Sequence, residues 1–108
     1  MDVLHELVDP GTMNMLRERL NDESDSVLSR AASTLGKIGD RAVAPELITM
    51  LGDSNFYVVQ ATVFALAALG DIRATKPLSA LLNSEDEALC KLAEHALGKL
   101  GALGKEDA

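Results

Sequence analysis

The sequence predicts an all-α fold, an α-solenoid in which about seven helices stack as antiparallel pairs within a single domain of residues 1–108. Three observations predict it. The stretch 51–81 has variants of itself on both sides, at a fixed shift of 31 residues. Shifted back, Leu51, Asp53, Val58, Leu66, Leu69, Gly70, Asp71 and Leu78 fall on Leu20, Asp22, Val27, Leu35, Ile38, Gly39, Asp40 and Leu47. Shifted forward, Leu51, Val58, Leu66, Leu69 and Gly70 fall on Leu82, Leu89, Leu97, Leu100 and Gly101. A period of this length marks units that bury their apolar faces only against one another. Second, the apolar residues within each unit recur at helical spacing, with no strand signal. Third, N-cap residue types precede each long apolar stretch and glycine follows it.

In order, residues 2–8 read as a short helix, with Val3, Leu4, Leu7 and Val8 at helical spacing. Asp9 and Pro10 start the next helix, as cap and first helical residue, and Met13, Leu16 and Leu20 share its inner face. Residues 1–19 thus form a truncated first unit, suited to a terminal cap with a single neighbour. Full repeats follow at 20–50 and 51–81, then a half repeat at 82–101 and a tail at 102–108. Ser24, Asn55 and Asp86 are equivalent N-cap positions. Val27, Ala31, Leu35 and Ile38 form the core stripe of the first long helix. Gly39, Gly70 and Gly101 end such helices, and Asp40 and Asp71 restart the chain as caps. Val43, Leu47, Ile48 and Leu51 point inward from the second helix. Pro45 in its first turns predicts a kink or a one-turn prelude, and Pro77 holds the matching place one residue later than the strict shift.

Composition narrows the class of work. Aromatic residues are only 3% with no Trp, so the core must be built of Leu, Val and Ala. The net charge of −7 argues against nucleic-acid binding and against docking on anionic membranes. One cysteine, Cys90, allows no internal disulfide. The N-terminal residues lack a basic region with a long apolar run, and residues 61–69 are too short to span a bilayer, so a cytoplasmic protein is expected.

The run 27–47, VLSRAASTLGKIGDRAVAPEL, resembles the HEAT-like repeat named after phycobilisome lyases. The resemblance covers about residues 9–101. It implies helix pairs in a right-handed superhelix, with a concave face, lined by the second helices, that holds partners. It says little of function, because the same repeat serves enzymes, chaperones and scaffolds. The sequence departs from the family at one place: the arginine that usually follows the valine of the first helix is replaced by Leu28, Val59 and Cys90. Such arginines pair with loop aspartates of a neighbouring unit, so Asp22 and Asp53 are expected to lack that partner.

The apolar replacements are the main candidate site. Residues 56–69 are apolar all round, as in a helix buried on every side, yet first helices form the outer layer of a solenoid. Either neighbouring helices cover Phe56, Val59 and Val63, or a row through Leu28, Val59 and Cys90, with Phe56 and Val63 beside it, is an exposed interface. Homodimerisation is the simplest form of the second reading. The last helix offers another surface, since Leu92, Ala96, Leu97 and Leu100 have no second helix to cover them.

Catalytic signals are weak. Family members that hydroxylate deoxyhypusine bind iron through repeated His-Glu pairs. Here Glu94-His95 has the reverse order, its equivalents Ala32-Ser33 and Val63-Phe64 offer no ligand, and His5-Glu6 stands alone. No histidine constellation points at Cys90, the glycines are explained by turns, and the acidic clusters 22–25 and 85–87 suit helix N-termini. The expectation is a non-catalytic protein-interaction module without metal or cofactor. The alternative is a lyase or chaperone subunit acting on a cofactor-bearing protein.

Overall fold

The computed structural model describes residues 10–101 of the chain. Six α-helices follow one another: α1 Pro10–Arg19, α2 Asp25–Ile38, α3 Ala44–Met50, α4 Phe56–Leu69, α5 Thr75–Ala80 and α6 Glu87–Lys99. No strand occurs among the described residues. The expected helix at 2–8 and the tail at 102–108 lie outside them.

The helix boundaries follow from side-chain chemistry. Each long helix begins where a short polar side chain replaces the missing turn before it. Ser24 Oγ accepts from the Val27 amide, Asn55 Oδ1 from Tyr57 and Val58, and Asp86 Oδ1 from Ala88. The chain leaves these helices through left-handed glycines, Gly39 at φ 85° and Gly70 at φ 67°, a region where a Cβ would be strained. Single 3₁₀ turns then follow, Arg41–Val43 and Ile72–Ala74, capped by Asp40 and Asp71. The first of them is the one-turn prelude that Pro45 calls for. It lets α3 begin at Ala44 with Pro45 inside the first turn, where the lost N–H costs nothing.

The units stack through their long helices. α2 packs on α4 and α4 packs on α6, while α1 packs on α2, α3 on α4 and α5 on α6. The smallest dimension, 16 Å, is the depth of two helix layers. Between the layers lies a wholly aliphatic core, with Leu35, Leu47, Leu66, Leu78 and Leu97 at its centre. Each contributes about 1.5–3 kcal/mol by leaving water. Gly36 marks the closest approach: a Cβ there would lie 2.7 Å from Ala65 Cα. Small residues let α2 and α4 come together at backbone distance.

Polar ties join successive units. Arg41 Nε donates to the Leu69 carbonyl at 3.0 Å, at the C-terminus of α4, where a cation meets the negative end of the helix dipole. Arg73 Nη2 donates to the Arg41 carbonyl at 3.1 Å, and its Nε donates to both Asp71 oxygens at 3.1 and 3.0 Å. The hydrogen bonds from Arg73, more than its charge, hold the Asp71 carboxyl below its ordinary range. Arg17 Nε donates to Glu46 at 2.7 Å, joining α1 to α3. Asn55 Nδ2 donates to Asp25 at 3.0 Å, joining the cap of α4 to the first residue of α2.

Candidate functional site

α4 reads FYVVQATVFALAAL and is flanked by α2 on one side and α6 on the other, with α3 packed on it as well. Its buried residues, Val58, Val59, Thr62, Val63, Ala65, Leu66, Ala67 and Leu69, take up most of its circumference. The one buried hydroxyl, on Thr62, is satisfied by donating to the Val58 carbonyl at 2.7 Å.

This packing corrects the expected exposed row. Val59 and Val63 are 2% and 0% exposed, and Leu28 is 7% exposed. α2 and α6 flank α4 and cover Val59, so an apolar side chain extends the core there. Cys90 is half-buried, with its Sγ donating to the carbonyls of Leu82 and Ser84 at 3.4 and 3.1 Å. Of the five candidates, Phe56, at the first turn of α4, is the other that is half-buried. Asp22 and Asp53 are employed locally, each accepting from the amide two residues on, Ser24 and Asn55, at 2.7 and 2.8 Å. Ala96 and Leu97 of α6 point into the core, with Leu92 and Leu100 partly buried against it.

What the outer layer exposes instead is aromatic. Phe56, Tyr57 and Phe64 are all the aromatic residues of the chain. All three lie on α4, and none belongs to the buried core. Tyr57 is 68% exposed and Phe64 47%. With Gln60, they occupy positions three and four residues apart, a single strip along the outer face. Phe56 and Tyr57 meet edge to face at 5.4 Å between centroids, and Phe64 meets His95 of α6 in the same way at 6.3 Å. The sequence signal was residue size: a core without room for rings sets its few aromatic residues outside.

Grooves flank the strip. Between α2 and α4, a groove of about 570 Å³ is lined by polar residues, Asp25, Ser29, Arg30, Ser33 and Asn55, and by Tyr57. Between α4 and α6, a second groove of about 380 Å³ is lined by Phe56, Gln60, Phe64, Lys91, Leu92 and His95, with Ala88. A third, of about 410 Å³, runs between α1 and α2 along Met15, Leu16, Val27, Ala31 and Thr34. Among the described residues no three His, Cys, Asp or Glu side chains converge as metal ligands. Glu94 and His95 both lie exposed on α6, and the pair His5-Glu6 lies outside the described residues.

The family model for HEAT repeats matches residues 4–107. The chain is 35% identical over 81 residues to the phycocyanobilin lyase subunit alpha of Picosynechococcus sp., an alignment that takes in 68% of this chain and 30% of that protein. Human deoxyhypusine hydroxylase, solved in complex with glycerol, superposes with a TM-score of 0.78 over 98% of this chain and 38% of its own, at 24% identity. The chain therefore spans less than half the length of either protein.

Proposed function

Because the chain belongs to the HEAT-repeat family, we propose that it serves as a non-catalytic helical scaffold that binds another protein through the outer face of α4. The observation that carries this reading is the exposure of Tyr57 and Phe64, with Phe56 beside them, on a chain whose core is entirely aliphatic. Exposed aromatic residues cost solubility, and rings of this kind dominate the energetics of protein contacts. The ionisable groups displaced from their ordinary values support a structural use of charge. Arg17 and Arg73 are raised, and Asp71 lowered, chiefly by hydrogen bonds within their own ion pairs, of which Arg17–Glu46 joins two helices and Asp71–Arg73 lies within one turn. No helix of the described residues is long and apolar enough to cross a membrane.

Site-specific photo-crosslinking tests the reading. A photoreactive side chain at Gln60, within the aromatic strip, is compared with one at Thr49, exposed on α3 in the other layer. Discrete protein adducts from Gln60 and none from Thr49 support binding by the outer face. Adducts from Thr49 alone would assign the partner to the opposite layer, as the family resemblance implies. An adduct of twice the chain mass would identify the partner as a second copy.

A second reading draws on the relative named as a phycocyanobilin lyase subunit. Here the chain is part of a lyase or chaperone that handles a protein carrying a tetrapyrrole. Mixing with phycocyanobilin would then shift the pigment's absorption spectrum, and an unchanged spectrum would remove this reading.

A further inference from the structure

The three long helices share the outer layer, and the shift of 31 residues sets them in register. Phe56 opens α4 where Asp25 opens α2 and Glu87 opens α6. Ala68 stands near the end of α4 where Lys37 and Lys99 stand on α2 and α6. All four charged side chains are exposed. The helix dipole favours a carboxylate at a helix start and a lysine at its end, and α2 and α6 have both. Between them, α4 has no acid in its first turn and no base in its last. No charged residue occurs anywhere in 56–69, on a chain of net charge −7. The outer face thus has an uncharged middle carrying Tyr57 and Phe64, 68% and 47% exposed. Each flank has a carboxylate at one end and a lysine at the other.

Such a face complements a copy of itself in one orientation. Two copies meeting through it are related by a two-fold axis that lies between the faces. With the axis along the helices, α2 of one copy lies over α6 of the other, start over start. Asp25 then opposes Glu87, and Lys37 opposes Lys99. With the axis across the helices, each helix lies antiparallel over its own counterpart. Asp25 then opposes Lys37, Glu87 opposes Lys99, and each pair forms twice. Attraction at every corner replaces repulsion at every corner, so charge selects the antiparallel arrangement. The same register suits the middle. Phe56 comes over Ala68 and Phe64 over Gln60, a ring against a small or flexible side chain each time. Lys91 comes over His95 and not over itself. Oδ2 of Asp25 accepts from Asn55, which leaves Oδ1 to a lysine.

Resting on the protein-binding reading above, we propose that the partner of α4 is a second copy of this chain, paired antiparallel about a two-fold axis. Phe56, Tyr57 and Phe64 form the centre, and the pairs Asp25–Lys37 and Glu87–Lys99 form the rim, the division that stable interfaces show. The rings supply affinity, and the charges fix the direction of pairing. The rim charges are exposed, so their contribution falls with added salt.

The test is sedimentation equilibrium of the folded chain in low salt, which gives the mass and the dimer Kd. Wild type is expected at twice the chain mass. Glu87→Lys sets lysine against lysine, and Lys99→Glu sets acid against acid. Each variant alone should weaken the dimer about tenfold while its circular dichroism remains that of wild type. Mixed in equal amounts, the two restore opposite charges at that corner, and the wild-type Kd should return. Asp25→Lys and Lys37→Glu form an independent pair on α2 with the same expected outcome, so a variant that fails to fold leaves the other pair to decide. A wild type that stays monomeric at every concentration, a dimer indifferent to Lys99→Glu and Lys37→Glu, or a mixture no tighter than its components would overturn the inference. With a monomeric wild type, Gln60 adducts to a different protein would leave the binding role of α4 standing and remove only the second copy; no adduct at all would remove both.

Discussion

Replacing Gly36 by alanine would set a methyl carbon 2.7 Å from Ala65 Cα and 2.9 Å from Ala65 Cβ. Ordinary carbon contacts lie at about 3.5–4.0 Å, so α2 and α4 must part by about 1 Å. The obstructing atom is backbone, and no rotamer change relieves it. Overpacking of this kind costs about 1–3 kcal/mol, and a site that cannot yield falls at the upper end. Alanine returns about 1 kcal/mol of helix propensity. The net loss is about 2 kcal/mol, a fall in melting temperature of about 8–16 °C for a domain of this size. Gly98 stands two repeat lengths further on, and nothing lies within 4 Å of a Cβ built there. Gly98→Ala therefore keeps only the propensity gain, reduced near the end of α6 to about 0.5 kcal/mol, or a rise of about 2–4 °C. Thermal unfolding followed by far-ultraviolet circular dichroism compares the two variants directly. A Gly36→Ala protein as stable as wild type, or a Gly98→Ala protein that falls with it, would refute the reasoning that one substitution at equivalent places changes sign with its neighbour.

Other outcomes follow from the same contacts. Asn55→Ala removes a cap with two amide donors and the tie to Asp25, so urea unfolding should show a loss of about 1–2 kcal/mol, larger than for Ser24→Ala. Val59→Arg places an unpaired charge where the side chain is 2% exposed; helix content should collapse, and a folded variant would restore Val59 to the surface. Asp71 has its folded pKa lowered by Arg73, so the stability it contributes is present above its unfolded value near 3.9 and is lost as pH falls through the folded one. Asp71→Asn should flatten that acid limb of the stability profile, and an unaltered limb would contradict the pairing.

The fold was legible because its punctuation is local. A short polar side chain before a helix and a glycine after it act through their own backbone, so Ser24, Asn55, Asp86, Gly39 and Gly70 can be assigned without knowing any partner. Pro45 likewise implied a broken start, and the 3₁₀ turn at Arg41–Val43 supplies it. The surface was less legible because exposure is set by neighbours. On α4, apolar residues surround the axis, and no periodic stripe marks which of them meets solvent. Val59 and Val63 read as candidates for the outside only while the flanks of α4 were empty; α2 and α6 fill them. The ties between units, with Leu28, Val59 and Cys90 in place of arginine, come from Arg41, Arg73 and Asn55, whose reach across one repeat depends on the stacking itself.

The measurement that bears most directly on the binding role of α4 is a comparison of wild type with the double variant Tyr57→Ser, Phe64→Ser, each carrying the photoreactive side chain at position 60. Both rings lie outside the core, so unfolding free energy should stay within about 0.5 kcal/mol of wild type, while the protein adduct is lost. A double variant that unfolds would show the rings to be structural. One that remains folded and forms the adduct undiminished would show that the partner does not hold α4 by these side chains.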